Sequence, residues 1–385
     1  MGNVFNKLDH HLMVGMIFNK LQNLYLNDCR IVVNYMESIK GGAFKVVFFF
    51  KKVIFVKSRL KFFILFLVSL NAFSQEGIPV YSDYFADNYY LIFPSMAGAS
   101  NCHKIRFTAR KQWFGQSNTP ALQTLSYNGR MDEKSGVGVI VFNDVNGYHS
   151  QFGFKSTYAH HIMFSRDEVD LNQLSFGVNV GVNQSQLNKG EFLSSENYDP
   201  IFGDMVQRVS YFNFDIGASY NLFNFSFNVV IKNVLDTRRN LYTEYESDNL
   251  RKFIVSGGYV FGNIDEVLWE PSFLYQFVDK TKESALDVNL KAYKNLSSGV
   301  LWGGVSYRRS FDETKFGNGG GANSQRLQYV TPVLGFNYYN LVFAYSYTYL
   351  LGDLHYGTDG LHQLTLGVNL FCKAVKYDCN CPAIN

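Results

Sequence analysis

The chain has 385 residues, with 36 Phe, 26 Tyr and 3 Trp making it 17% aromatic, only 17% charged residues, and a formal charge of +3. Its 32 glycines and 7 prolines fit neither collagen nor low-complexity disorder, and no stretch reaches the ~18 uninterrupted apolar residues of a membrane-spanning helix, which excludes a polytopic helical membrane protein. A chain this apolar on average, yet without long apolar runs, points to strands with one apolar face.

In chain order, residues 56–74 come first to notice. They read VKSRLKFFILFLVSLNAFS, with Lys57, Arg59 and Lys61 ahead of an apolar stretch from Phe62 to Leu70. Ala72 and Ser74 then place small residues before a cleavage site at Gln75. This is the pattern of a cleaved export signal, and no Cys follows the site to accept a lipid. Residues 1–55 sit upstream of it. They fall before a downstream start (Met36, or Val56 read as an initiator), or they form an unusually long leader. Residues 1–74 carry 10 Lys/Arg and 3 Asp/Glu, leaving 25 basic and 29 acidic residues, about −4. The basicity therefore belongs to the leader, and nothing left points to a nucleic-acid partner.

Residues 75–103 read as an N-terminal periplasmic segment, and from 104 to 371 the pattern is strand after strand. In 174–183, Leu174, Phe176, Val178, Val180 and Val182 share one face, with Ser175, Gly177, Asn179, Gly181 and Asn183 on the other. In 211–220, Phe212, Phe214, Ile216, Ala218 and Tyr220 oppose Asn213, Asp215, Gly217 and Ser219; in 223–232, Phe223, Phe225, Phe227, Val229 and Ile231 oppose Asn224, Ser226, Asn228 and Lys232. Leu341, Phe343, Tyr345, Tyr347 and Tyr349 repeat the pattern. The period is two. Segments of ~9–13 residues, an aromatic apolar face and a small polar opposite face together describe strands that cross a bilayer around a polar lumen, rather than a soluble sandwich.

About fourteen such segments are countable: near 104–113, 121–129, 136–144, 150–164, 171–185, 208–220, 223–233, 251–261, 267–279, 284–293, 299–309, 328–337, 340–350 and 361–371. The expected fold is all-β, an antiparallel outer-membrane barrel of about fourteen strands, with twelve or sixteen as alternatives. An even count closes the ring and leaves no edge in lipid. Asn146-Gly147 and residues 221–224 read as tight turns. Residues 186–207, 234–250 and 312–327 read as long polar loops on the cell exterior, and 372–385 as a periplasmic tail. Cys102, Cys372, Cys379 and Cys381 are free to pair in an oxidising compartment, in a pairing the spacing leaves open. Cys379-Asn380-Cys381 is not zinc-knuckle spacing.

The stretch YSDYFADNYYLIFPSMAGAS, followed by RKQWFGQSNTPALQTLSYNG, resembles the mature N-termini of the PorP/SprF family of type IX secretion system membrane proteins of Bacteroidetes. The matching positions are Pro94, Ala97 and Gly98, then Arg110, Gln112 and Trp113, then Gln123-Thr124, and the next hairpin carries Phe142-Asn143-Asp144. The likeness runs from about 80 to 371, with its specific motifs in 90–165. Phe93 and Met96 depart from the Asn and the aromatic usual in the family. The resemblance implies a non-enzymatic barrel that assists export or surface anchoring of a large cargo bearing a C-terminal sorting domain, such as a gliding adhesin. Its implied neighbours are the translocon, the periplasmic ring and lipoprotein components, and outer-membrane lipids.

On that reading Pro94, Ala97, Gly98, Arg110, Gln112 and Trp113 are candidate partner-binding residues. The plainer alternatives are a turn feeding the first strand for Pro94 to Gly98, a lumen-facing Arg110 and an interfacial Trp113. His160 and His161, adjacent on a strand, point to opposite faces and do not make a joint metal site. No GxSxG, HExxH or P-loop pattern is present, Asp215, Ser219 and His362 read as unpaired lumen residues, and neither catalysis, cofactor nor metal is expected. The alternative function is a passive porin or small-solute channel, unless the N-terminal segment docks in or under the barrel.

Overall fold

The computed structural model describes residues 88–100, 102–112, 119–164, 171–188, 206–235, 250–318, 321–351 and 360–372. The leader, the signal segment, Trp113, Cys379 and Cys381 lie outside them.

Fourteen antiparallel strands close into a ring. They are β1 (His103–Gln112), β2 (Ala121–Arg130), β3 (Ser135–Asn146), β4 (His149–Met163), β5 (Asn172–Asn188), β6 (Val206–Leu222) and β7 (Phe225–Lys232). The ring continues with β8 (Lys252–Tyr259, extended past Val260 by Phe261–Gly262), β9 (Leu268–Val278), β10 (Ser284–Leu296), β11 (Gly299–Asn318), β12 (Gly321–Tyr338), β13 (Leu341–Leu351) and β14 (Leu361–Leu370). Each pairs with its neighbours in sequence, and β14 pairs back onto β1 from His103↔Leu370 to Gln112↔Leu361, so no edge is left open. The fourteen segments expected from alternation correspond to these strands one for one.

Polarity runs opposite to that of a water-soluble protein. On β5, Phe176 is 48% and Val180 43% exposed, while Asn183, facing inward, is fully buried. The same holds around the ring, with Phe212, Ile216, Phe273, Val288, Phe343 and Leu364 outward and Asn213, Ser272, Asn289 and Thr365 inward. An aromatic and aliphatic outer belt is stable only against hydrocarbon, so the wall is that of a membrane barrel.

Local chemistry sets the turns. Gly147, at φ +61, closes the two-residue β3–β4 turn, and the β6–β7 turn places Phe223 at φ 49. Between β2 and β3, Asp132 Oδ1 accepts the backbone N–H of Lys134 and of Ser135, both at 2.7 Å; the Lys134 donor first of all holds its carboxyl below the usual value of 3.8. Connections at the end where β1 begins include the short turns 131–134, 223–224, 297–298 and 339–340; the long connections 189–205 and 236–249 fall at the other end.

The structure corrects one expected loop. Of residues 312–327, those up to 318 and from 321 are not a loop but continue the β11–β12 hairpin, which shifts register between Arg309 and Glu313 and then pairs from Glu313↔Arg326 to Asn318↔Gly321; residues 319 and 320 lie outside the described residues. Glu313 and Arg326 form an exposed ion pair at 3.6 Å. Two strands that leave the wall together need only their backbone groups to stay paired, so the side-chain alternation that marks the wall is absent there.

A disulfide joins Cys102, just before β1, to Cys372, just after β14. The link lies across the seam where the first and last strands meet, with Phe371 edge-on to His103 at 5.7 Å between ring centroids.

Candidate functional site

Residues 88–100 lie inside the ring. Tyr89–Leu91 and Pro94–Met96 are single 3-10 turns, the second opened by Pro94, whose fixed φ suits the first position of such a turn. These turns satisfy much of the segment's own backbone: Ile92 N–H reaches Tyr89 O at 3.0 Å and Ala97 N–H reaches Pro94 O at 3.1 Å. Four of the carbonyls left over are taken by the wall. Lys232 Nζ on β7 donates to Leu91 O at 3.0 Å, and His161 Nε2 on β4 lies 3.0 Å from Ala97 O. Arg130 on β2 donates from Nε to Gly98 O at 2.9 Å and from Nη2 to Ala99 O at 3.3 Å. A carbonyl only accepts, so the His161 proton sits on Nε2, and Nδ1 accepts from the Ser175 hydroxyl at 2.8 Å.

Side chains extend the contact around the ring. Asn88 donates to Ser126 on β2 at 3.0 Å, Tyr90 meets Thr157 on β4 at 2.5 Å and Ser95 meets Ser219 on β6 at 2.6 Å. Tyr89 donates to Glu270 on β9 at 2.7 Å, and Glu270 in turn pairs with Lys291 on β10 at 3.0 Å. Nearby, Asp215 pairs with Lys155 at 2.7 Å and accepts the Asn233 N–H at 2.9 Å.

The lumen is therefore not uniformly polar, which corrects the sequence reading. Leu122, Ile140, Phe142, Ala159, Val230, Ile254 and Leu274 point inward and form one apolar cluster with Tyr89, Tyr90, Leu91, Ile92, Phe93, Met96, Ala97 and Ala99. Burying each large apolar side chain of the segment contributes ~1.5–3 kcal/mol. Two wall glycines make room. A methyl group on Gly136 would collide with Ala97 O, and one on Gly177 with the backbone at Pro94 and Ser95. Gly98 adopts φ +66 against Gly129 and Gly136, a conformation and a closeness that only glycine combines without strain.

The candidate residues fall in two places. Pro94 packs toward Gly177 and Gly217, Ala97 accepts from His161, and Gly98 also donates its N–H to Asn128 Oδ1 at 3.3 Å, so all three are interior. Arg110 is buried and faces inward on β1, and Gln112, whose N–H reaches Pro120 O, ends that strand. These two sit at the far end of β1 from Gly98, which lies beside Gly129 and Gly136 where β1 begins. Trp113 is outside the described residues. His160 is exposed while His161 is buried, as their adjacency requires. His362 is not a lumen residue: it shares the parity of outward Leu364 and Leu366 and bonds Tyr345 on the outer face at 2.7 Å. The sequence reading missed His161, Arg130, Lys232 and Glu270 as the groups that hold the inner segment. Their signal is a charged or titratable side chain at lumen parity with no partner on its own strand.

The chain matches the family described as "Type IX secretion system membrane protein PorP/SprF" over residues 73–368. No curated protein matches it. Among solved structures it is similar to a TodX monoaromatic hydrocarbon channel deltaS2 mutant, at 10% identity over 77% of this chain and 94% of that one, with a TM-score of 0.44. It is similar to the CymD monoaromatic hydrocarbon channel at 10% identity over 78% and 94%, TM-score 0.43. It also resembles Salmonella typhi OmpF in complex with daunomycin, at 11% identity over 70% and 96%, TM-score 0.34.

Proposed function

The chain belongs to the PorP/SprF family of type IX secretion system membrane proteins, and on that premise we propose that it is a non-enzymatic outer-membrane barrel that assists the export or surface anchoring of a cognate large cargo, such as a gliding adhesin. The partners of this reading are the translocon, its periplasmic ring and lipoprotein components, and a cargo carrying a C-terminal sorting domain. The observation that carries it beyond family membership is the occupied interior: residues 88–100 fill part of the lumen that a passive channel keeps open.

Orientation follows the usual asymmetry of outer-membrane barrels, with short turns toward the periplasm and long connections outward. That places turns 131–134, 223–224, 297–298 and 339–340, the start of β1 and the Cys102–Cys372 link on the periplasmic side. Export by the signal at 56–74 fits the same location.

The test compares the surface and secreted proteomes of a strain lacking this protein with its parent. The expected result is loss of one or more large surface proteins, with the precursor degraded or trapped in the periplasm, and unaltered uptake of small solutes. An unchanged surface proteome with impaired solute uptake refutes the secretion role and favours the porin reading.

A further inference from the structure

We propose that residues 88–99 are a removable stopper and that the barrel around them is a latent pore selective for small anions. The proposal goes beyond the secretion role and does not depend on it.

Three observations carry it. The first is space. Where the segment's backbone comes closest, the wall presents Gly136, Gly177, Ser175, Asn179 and Ser219, with the larger Ile140, Phe142, Ile254 and Leu274 packed beside it, and a fourteen-strand ring is wider than the eight-strand ring that its own side chains fill. With the segment out, these positions leave an opening instead of a packed interior.

The second is attachment. Residues 88–99 contribute no pairing to the strand ladder, and the contacts described between them and the wall are non-covalent: hydrogen bonds, packing contacts and the Lys291 ammonium over the Tyr89 ring. The segment runs into β1 through Ser100 and Cys102, and the disulfide to Cys372 fixes that end at the rim. It can therefore swing out while the ring stays closed.

The third is charge. The groups gathered around the segment include four cations, Arg130, Lys155, Lys232 and Lys291, against two carboxylates, Asp215 and Glu270. Asp215 pairs directly with Lys155 and also lies near Lys232, and Glu270 pairs with Lys291, so four cations share two carboxylates and two positive charges are in surplus; Arg130 and Lys232 direct their donors at carbonyls of the segment. Withdrawal turns those donors toward lumen water, where an excess of positive charge between low-dielectric walls concentrates anions.

The experiment records conductance in planar lipid bilayers under a KCl gradient for the chain from Gln75 onward and for two variants. One carries Gly136→Ala with Gly177→Ala, which places methyl groups in the path of the segment's backbone. The other lacks residues 75–99. Folding is read from heat-modifiable migration on gels. The parent is expected to be silent, and both folded variants to conduct at least tenfold more, with a reversal potential displaced toward that of chloride. Adding Arg130→Gln and Lys232→Gln to the shortened chain is expected to abolish the displacement. Equal conductance of parent and variants overturns the proposal, as do folded but silent variants or a preference for potassium. Failure of both variants to fold also overturns it, because the segment is then a core the wall requires.

Discussion

Cutting the Cys102–Cys372 link is expected to destabilise the barrel without opening its seam. The bond closes a loop with a sequence separation of 270 residues. Chain-entropy arithmetic for a loop of that length gives about 5–6 kcal/mol at 25 °C, while measured removals typically cost about 2–5. In the folded protein β1 and β14 are already held by a continuous ladder from His103↔Leu370 to Gln112↔Leu361, so the effect acts through the unfolded chain. The assay is guanidinium unfolding in lipid vesicles, followed by tryptophan fluorescence, of the oxidised parent and of Cys102→Ser with Cys372→Ser. With denaturant slopes of about 4–6 kcal/mol/M, the midpoint should fall by about 0.5–1 M. An identical midpoint refutes the reasoning. So does alkylation mass spectrometry that finds Cys102 and Cys372 unlinked in the parent.

Three further outcomes follow from the interior and the wall. Asp215→Asn leaves Lys155 and its neighbour Lys232 buried without their carboxylate, and should cost about 3–5 kcal/mol of unfolding free energy; a double variant that also carries Lys155→Met should recover part of it, and no recovery would contradict the pairing. Val180→Arg, at the middle of β5 on the lipid side, should cost about 2–4 kcal/mol in vesicle folding titrations, whereas Glu313→Ala on the projecting hairpin should change stability by less than about 0.5. His161→Ala removes the donor to Ala97 O and the acceptor for Ser175, about 1–3 kcal/mol of local interaction. It should speed hydrogen exchange at residues 96–99 while the strand amides are unaffected, and unchanged exchange there would count against the clamp.

The wall was legible because its physics repeats along one strand at a time. Leu174 to Asn183 state both faces of β5 in ten residues, and the spacing needs no knowledge of neighbouring strands. The interior was less legible because its partners come from far apart. Leu122, Val230 and Ile254 each break the polar inward face singly, and one apolar residue at lumen parity looks like noise until a common occupant explains it. The occupant itself, YYLIFPSMAGA, has neither period, so its sequence names no element; its destination is set by carbonyls that meet Arg130, His161 and Lys232 from three different strands. The hairpin beyond Arg309 was misread for the opposite reason, since its strands are defined by backbone pairing, and backbone pairing alone imposes no side-chain alternation on the sequence.

The inner segment precedes the wall in the order of synthesis, and this bears on how the ring is assembled. Its contacts are with β2 to β10, all of which emerge after it and before β14. An incoming sheet therefore finds a mandrel already in place and can curl about it hairpin by hairpin, whereas a segment supplied after β14 would have to be threaded into a finished cylinder. Cys372 reaches Cys102 only when the last strand docks on the first. The oxidised link is thus a covalent stamp of completion, and a shift in mobility on a non-reducing gel would separate finished rings from those still being wound.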